Sequence, residues 1–529
     1  MSILWKIFAA LLAVTVLVWL STMWRWESNQ LDPGPSDLWL QLVVLPVVLT
    51  GVLVLTVWAV HRLRRYAGAP VATPAVTTAG SPAYASGDAA VLAPKRLRAR
   101  VLACAVQVRA GAAWRAAQQA IAKGECASEL DPEIKDEDGV CVFTAPMPEL
   151  DTDKVRGEMD ELLQALTAQE PDVWAGFEPP TEMVRALTLM GEVLSELDEP
   201  LNAQWHALAP PQQPPSLKAS SPERPTADGR RPPEVSVRVG IPENWTALSQ
   251  RLAMAWIGAR LAPWLASARE AAEGLDPRRQ RAHADSGRQL PVPTQVQAHV
   301  HPVAHAEALW QLGERQRQMW LQAEQAGLLV LVAADSAISE SAVTALAARH
   351  ELFSGDNPRG RVPGEGAAAL VCATPDWPTP ADADPPLCWL QGASILRRDK
   401  SADAQGRVSP AVMVDALTDA SAVAGWPLTA VTHLTSDVDL RASRTSELYE
   451  AVRSTLPDLD VNVDVLSLGV GCGDLGLVRL LACAGLAARE VQDVGTASLL
   501  VGALPAFERF AVLLTPTAEP TSAEASSGG

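Results

Sequence analysis

The chain has 529 residues, 48% of them hydrophobic and 20% charged, with a formal net charge of −18. That hydrophobic content excludes a disordered chain and suffices for at least one large core, with two or three domains expected from length. The acidic balance excludes nucleic acid as the main ligand, because a phosphate-binding surface needs clustered Lys and Arg.

Two apolar runs open the chain. The first, 7–20, follows Lys6 and extends through Trp24, and the second, 38–60, carries no charge. Each is long enough to cross hydrocarbon. No A-x-A-like cleavage site follows the first, so it reads as a span and not as a signal peptide. Trp5, Trp19, Trp24, Trp26, Trp39 and Trp58 sit near the ends, where indoles favour the headgroup level. The turn between the runs carries Arg25 against Glu27, Asp32 and Asp37, whereas His61, Arg62, Arg64 and Arg65 follow the second. The positive-inside rule then places both termini, and the body, in the cytoplasm of a bacterial inner membrane.

Residues 1–66 are therefore expected to form a two-helix transmembrane anchor and 67–94, rich in Ala, Pro, Gly, Thr and Ser, a flexible tether. Lys95, Arg96, Arg98 and Arg100 come next and suit anionic headgroups. A soluble α/β region over 95–208 contains the acidic run from Glu125 to Glu161, which reads as a solvated face. A Pro-rich linker over 209–234 separates it from a second region, 235–515, with a weaker break at 276–293 and a disordered tail over 516–529.

Short apolar runs alternate with amphipathic stretches, which predicts α/β architecture. Strands are expected over 100–108, 140–143, 235–240, 296–300, 328–333, 367–373, 387–395, 430–433 and 510–514. Helices are expected over 112–122, 152–168, 181–197, 245–261, 304–325, 340–348, 410–419, 441–456 and 475–488. Several strands are apolar on both faces, as in a central sheet covered by helices. The seven cysteines, Cys104, Cys126, Cys141, Cys372, Cys388, Cys472 and Cys483, form no C-x-x-C pair and no zinc-spaced cluster, and read as reduced thiols.

From Leu328 the pieces follow a particular order. A buried strand ends in Ala333-Ala-Asp335-Ser336, a helix begins at Glu340, and an Asp356-Asn-Pro-Arg-Gly-Arg loop leads into Val362-Pro-Gly364-Glu365-Gly366-Ala-Ala-Ala-Leu-Val371. Downstream lie Val431-Thr-His433-Leu-Thr-Ser-Asp437 and Gly469-Val-Gly471-Cys472-Gly473-Asp474-Leu-Gly476. This resembles a β-ketoacyl synthase of the thiolase superfamily over about residues 326–515, with 96–300 left to supply the other half. The resemblance implies a thiolase-like layered αβαβα body behind the membrane anchor, with strands 328–333 and 367–373 adjacent, and, by analogy, a homodimer. Glu365 reads as a turn-stabilising carboxylate, and the glycines beside it as a tight turn needing positive φ.

A ketosynthase needs a cysteine at a helix N-terminus plus two basic side chains. The matching stretch, 296–306, holds His299, His301 and His305 but no cysteine, and the second histidine loop has Cys472 and Asp474 where the family places histidine. His433 and Cys472 are the candidate catalytic residues that remain, Cys472 as a thiol at the start of a predicted helix. No cofactor or metal is assigned. Strand alternation puts His299 and His301 on one face without a carboxylate at ligand spacing. The leading functional reading is a membrane-anchored, non-catalytic thiolase-like scaffold or adapter that binds a protein partner. In layout and short fragments the chain is also similar to the type VI secretion lipase adapter family, which would imply effector loading. The alternative is an acyl-thioester enzyme acting near membrane lipids.

Overall fold

The computed structural model describes residues 97–208, 233–273, 295–379, 384–404 and 406–517. In chain order it begins with β1 (Ala99–Val108), α1 (Trp114–Lys123) and a hairpin of β2 (Glu129–Lys135) and β3 (Cys141–Thr144). Helices α2 (Asp153–Gln169), α3 (Pro171–Trp174), α4 (Thr181–Glu196) and α5 (Asp198–Leu208) follow. Then come β4 (Glu234–Pro242), α6 (Ala247–Glu273), β5 (Gln295–Val303), α7 (Ala306–Ala323), β6 (Gly327–Ser336), α8 (Glu340–Ala348) and β7 (Glu365–Ala373). The second half contains β8 (Cys388–Leu390), β9 (Ser394–Arg397), α9 (Ala411–Ala424), β10 (Val431–Ser436), α10 (Ala442–Thr455) and β11 (Val465–Ser467). It closes with α11 (Leu468–Cys472), α12 (Arg479–Val494), β12 (Ala497–Gly502) and β13 (Glu508–Thr515).

The two halves lay down their strands in the same permutation. Apart from the separate β2–β3 hairpin and the short β9, which pairs with β13 off this path, the first half runs β5-β4-β6-β7-β1 across its sheet and the second runs β11-β10-β12-β13-β8. In both, the strand laid down third is at the edge, the second and fourth are parallel neighbours, and the fifth lies antiparallel between the fourth and the first. β8 also pairs with β1 and so joins the halves. β6 and β7 are hydrogen-bonded neighbours, Leu328 opposite Ala373 and Ser336 opposite Glu365, as the Gly364–Gly366 turn led us to expect.

Alternation along these strands builds five layers, because a strand sends successive side chains to opposite faces. On β6, Leu328, Val330, Val332 and Ala334 face an outer core shared with α4 and α6, while Leu329, Leu331 and Ala333 face an inner core. On β13, Phe510, Val512 and Leu514 reach the same inner core from the other half, and Ala511 and Leu513 face an outer core with α9 and α10. The inner layer is α7 and α12. α12 is buried at every position from Arg479 to Ala488, and an all-round apolar helix rich in Ala is what a layer closed on both sides requires. This is the αβαβα arrangement implied by the thiolase resemblance.

Several expectations need correction. The linker over 209–234 does not divide the sheet, since β1 lies between β7 and β8. The described residues on either side of the linker belong to one compact unit. The strand expected over 387–395 breaks into β8 and β9, which pair with different stretches of β13. Gly364 and Gly366 do not have positive φ. Gly364 is required by close approach: a Cβ there would lie 2.2 Å from the Cys472 carbonyl oxygen. The expected spans of residues 1–66 lie outside the described residues, among which no helix is long and apolar enough to cross a membrane.

Candidate functional site

The carboxyl ends of the parallel strands β4, β5 and β6 open into a cleft, the usual place for a site in a sheet of this kind. A cavity of about 760 Å³ is bordered there by Pro242, Trp245, Val303, Asp335, Leu346 and Arg361. A second, of about 270 Å³, adjoins it through Asp335, Arg361, Asp474 and Leu477 and reaches His305, Glu307 and Arg479. Both inner helices begin at this point.

At the start of α7 the resemblance leaves room for a nucleophile. The structure places His305 there as the N-cap, its Nδ1 3.3 Å from the Ala308 amide and 3.3 Å from Glu307 Oε2. The two contacts compete for Nδ1, which accepts from Ala308 when unprotonated and donates to Glu307 when it carries a proton, and the bond to Glu307 raises the imidazole above its ordinary pKa, with burial working against it. Glu307, in the first turn and 2% exposed, pairs with Arg479 at the start of α12. Arg479 pairs in turn with Asp437 beyond the end of β10, so one guanidinium ties the two halves between two buried carboxylates. Burial pushes Glu307 up, but Arg479 and His305 outweigh it and hold the carboxyl at about 2. The same two anions outweigh the burial of Arg479 and raise its pKa.

The start of α12 is also occupied. Asp335, at the end of β6, accepts from the Leu477 amide at 3.0 Å, and Asp474 accepts from the Gly476 amide at 3.0 Å. Two side-chain carboxylates thus take the successive N–H groups that open the 3₁₀ turn Gly476–Val478 leading into α12. Gly476 permits this with φ of +52°, and a Cβ there would meet Asp335 Oδ2 at 2.0 Å. Asp474 is paired with Arg361 at 3.1 Å. Burial raises its carboxyl, yet Arg361 and the Gly476 amide bring it below the ordinary range. Asp335 has no such cation among the described residues, and burial, with Asp474 beside it, pushes its carboxyl up to about 7.

The residues singled out from sequence lie elsewhere. Cys472 is the last residue of α11, not the first of a helix, and it is fully buried. Burial pushes its thiol up to about 12. His433 sits within β10, stacked edge-on against Trp114 with ring centroids 5.0 Å apart and 3.4 Å from buried Glu490. Neither residue borders either cavity. Burial lowers the pKa of His433, partly offset by Glu490. His299 and His301 are neighbours on β5 with ring centroids 6.0 Å apart, as alternation requires, but His301 lies 3.2 Å from the Arg238 guanidinium, which opposes a metal cation. His305 is separated from both by its turn into α7. Glu365 is wholly buried and accepts from the Met147 amide at 2.7 Å, from Ser336 at 2.8 Å and from Arg185, which anchors the turn. Sequence reasoning missed Glu307 and Arg479 altogether, since they are 172 residues apart and belong to no motif.

No protein-family model matches the chain, and no curated protein matches it. Among solved structures it is similar to a β-ketoacyl synthase from Burkholderia phymatum STM815, at 11% identity and a TM-score of 0.48 over 80% of this chain and 100% of that one. It is similar to the ishigamide ketosynthase/chain length factor at 14% and 0.44, over 79% and 99%. A ketosynthase from module 6 of the bacillaene synthase from Bacillus subtilis 168 follows at 11% and 0.46, over 80% and 72%. The likeness concerns the course of the chain.

Proposed function

We propose that this protein is a thiolase-like scaffold that binds a protein partner at the cleft and does not perform ketosynthase chemistry. In this reading residues 1–66 tether it to a bacterial inner membrane, with the body in the cytoplasm. The observation that carries the proposal is that the chain's own side chains occupy the entry to both inner helices, His305 capping α7 and Asp335 and Asp474 taking the amides of the 3₁₀ turn that leads into α12. Condensation chemistry needs those N–H groups and a nearby cation to hold a thiolate and a developing oxyanion. Here Glu307, Asp335 and Asp474 put anionic groups, or a carboxyl ready to become one, where that negative charge would form.

The test is chemical. Burial pushes up the thiols of Cys104, Cys126, Cys372, Cys388, Cys472 and Cys483, so none of these has the ionised character a nucleophile needs. Iodoacetamide should label the native chain slowly, without a fast class that disappears in Cys472→Ser, and acyl-thioesters should leave no covalent adduct. A fast thiol or an adduct would reject the scaffold. The acyl-thioester reading is favoured by one feature, the Asp335 carboxyl, which still carries a proton near neutral pH and could serve as a general acid. An adduct would promote that reading.

A further inference from the structure

We propose that the cleft receives a cationic group, the ammonium or guanidinium of a partner's side chain, at Asp335. This rests on the partner-binding reading of the same cleft and gives the partner its chemistry. The charges around the cleft are unevenly matched. Arg361 is held by Asp474 at 3.1 Å, Arg441 by Asp439 at 2.8 Å, and Arg479 by Glu307 and Asp437. Asp335 borders both cavities yet forms no ion pair among the described residues, and its partners are backbone N–H groups of Leu477 and Ser336.

A second observation points the same way. Glu307 borders the smaller cavity at 2% exposure, and its Oε1, closed off from solvent, has no hydrogen-bond partner among the described residues, so this anion at the cavity wall is incompletely compensated. A buried carboxylate oxygen lacking a donor is costly. Together the two cavities are lined by six carboxyl groups against four guanidiniums and His305. Pro180, Pro242, Trp245 and Leu346 in the larger cavity offer apolar surface for the aliphatic stem of a Lys or Arg side chain, whose head then reaches the acid. Of the charged groups that line its cavities, Glu182, Glu243, Glu307, Asp474 and Glu508 against Arg349, Arg361, Arg441, Arg479 and His305, Asp474 is the one that acts on the Asp335 carboxyl. The raised pKa of Asp335 is what a carboxyl without a counter-ion shows beside another anion. A bound cation restores the ordinary order, and the proton on Asp335 passes to solvent.

The experiment is calorimetric titration of the full chain with acetyl-Gly-Lys-Gly-amide and acetyl-Gly-Arg-Gly-amide, with the norleucine peptide as an uncharged control. Measurements at pH 7 in two buffers of different ionisation heat count protons. At least one cationic peptide should bind about tenfold or more tightly than the norleucine peptide, releasing about half a proton, since Asp335 is then about half protonated. Its affinity should rise from pH 6 to pH 8. Asp335→Asn, which keeps the shape of the neutral acid, should abolish the proton release and weaken binding about tenfold or more. No binding by either cationic peptide, equal binding by norleucine, or binding in the wild type without proton release or pH dependence would each overturn the proposal. So would unchanged affinity in Asp335→Asn shown folded by circular dichroism. These failures are distinct from failure of the scaffold reading, which is decided by acyl adducts and thiol labelling.

Discussion

Replacing Arg479 with Met is expected to destabilise the protein by about 3–5 kcal/mol, the usual cost of removing one partner from a buried ion pair. Arg479 is 5% exposed, Glu307 2% and Asp437 1%, so neither carboxylate left behind has water to turn to. The pH dependence identifies the cause. In the wild type Glu307 is held at about 2, so its share of the stability is present above its unfolded pKa near 4.5 and is lost as pH falls toward 2. Without Arg479, burial is left to push both carboxyls up, and they take protons in the folded state. The deficit of Arg479→Met relative to wild type should therefore be largest at pH 8 and shrink toward pH 5. Urea unfolding followed by near-ultraviolet circular dichroism reads it. A triple variant adding Glu307→Gln and Asp437→Asn removes the stranded charges and should recover part of the loss. A deficit that does not vary with pH would mean that lost packing, not stranded charge, is responsible.

This ion triad also marks where sequence reading reached its limit. β6, β7 and β13 were legible because strands covered by helices on both faces are apolar at nearly every position, and β4 because Val235, Val237, Val239 and Ile241 alternate along it. β11, three residues long, and β12 gave too short a signal beside the helices that flank them. The helix expected from residue 475 begins at Arg479, after a 3₁₀ turn over Gly476–Val478. The amides of that turn are taken by Asp335 and Asp474, and periodicity is blind to a cap donated from 142 residues away. Asp335, Asp437 and Asp474 all lay within stretches quoted for the ketosynthase resemblance, so the strand ends that form the site were in view. What they meet was not, because pairings such as Glu307 with Arg479 arise only when the two halves close over α7 and α12. The boundary at His305 shows a smaller version of the same gap. That residue falls inside the helix expected over 304–325, whereas the helix starts at Ala306 and His305 is its cap.

Asp335→Asn is expected to make the protein more stable at pH 8 while leaving it nearly unchanged at pH 4. A carboxyl raised to about 7 in the folded chain binds a proton there that the unfolded chain, with a pKa near 3.8, has already released. Between those values the folded state holds more protons, so its stability falls as pH rises through the window and levels off above about 7. At about 1.4 kcal/mol per unit the loss is of the order of 2–4 kcal/mol, allowing for partial access to solvent. Asparagine cannot ionise, yet it keeps an acceptor for the Leu477 amide, so the variant escapes the loss. Other titrating groups, including His305 and Asp474, are common to both proteins and largely cancel in the difference. The measurement is the melting temperature of wild type minus variant across pH 4 to 9, which should start near zero and become negative by several degrees. A difference that stays flat would place the Asp335 carboxyl in its ordinary range, ionised and already compensated. The cleft would then lack the unpaired charge on which cation recognition depends.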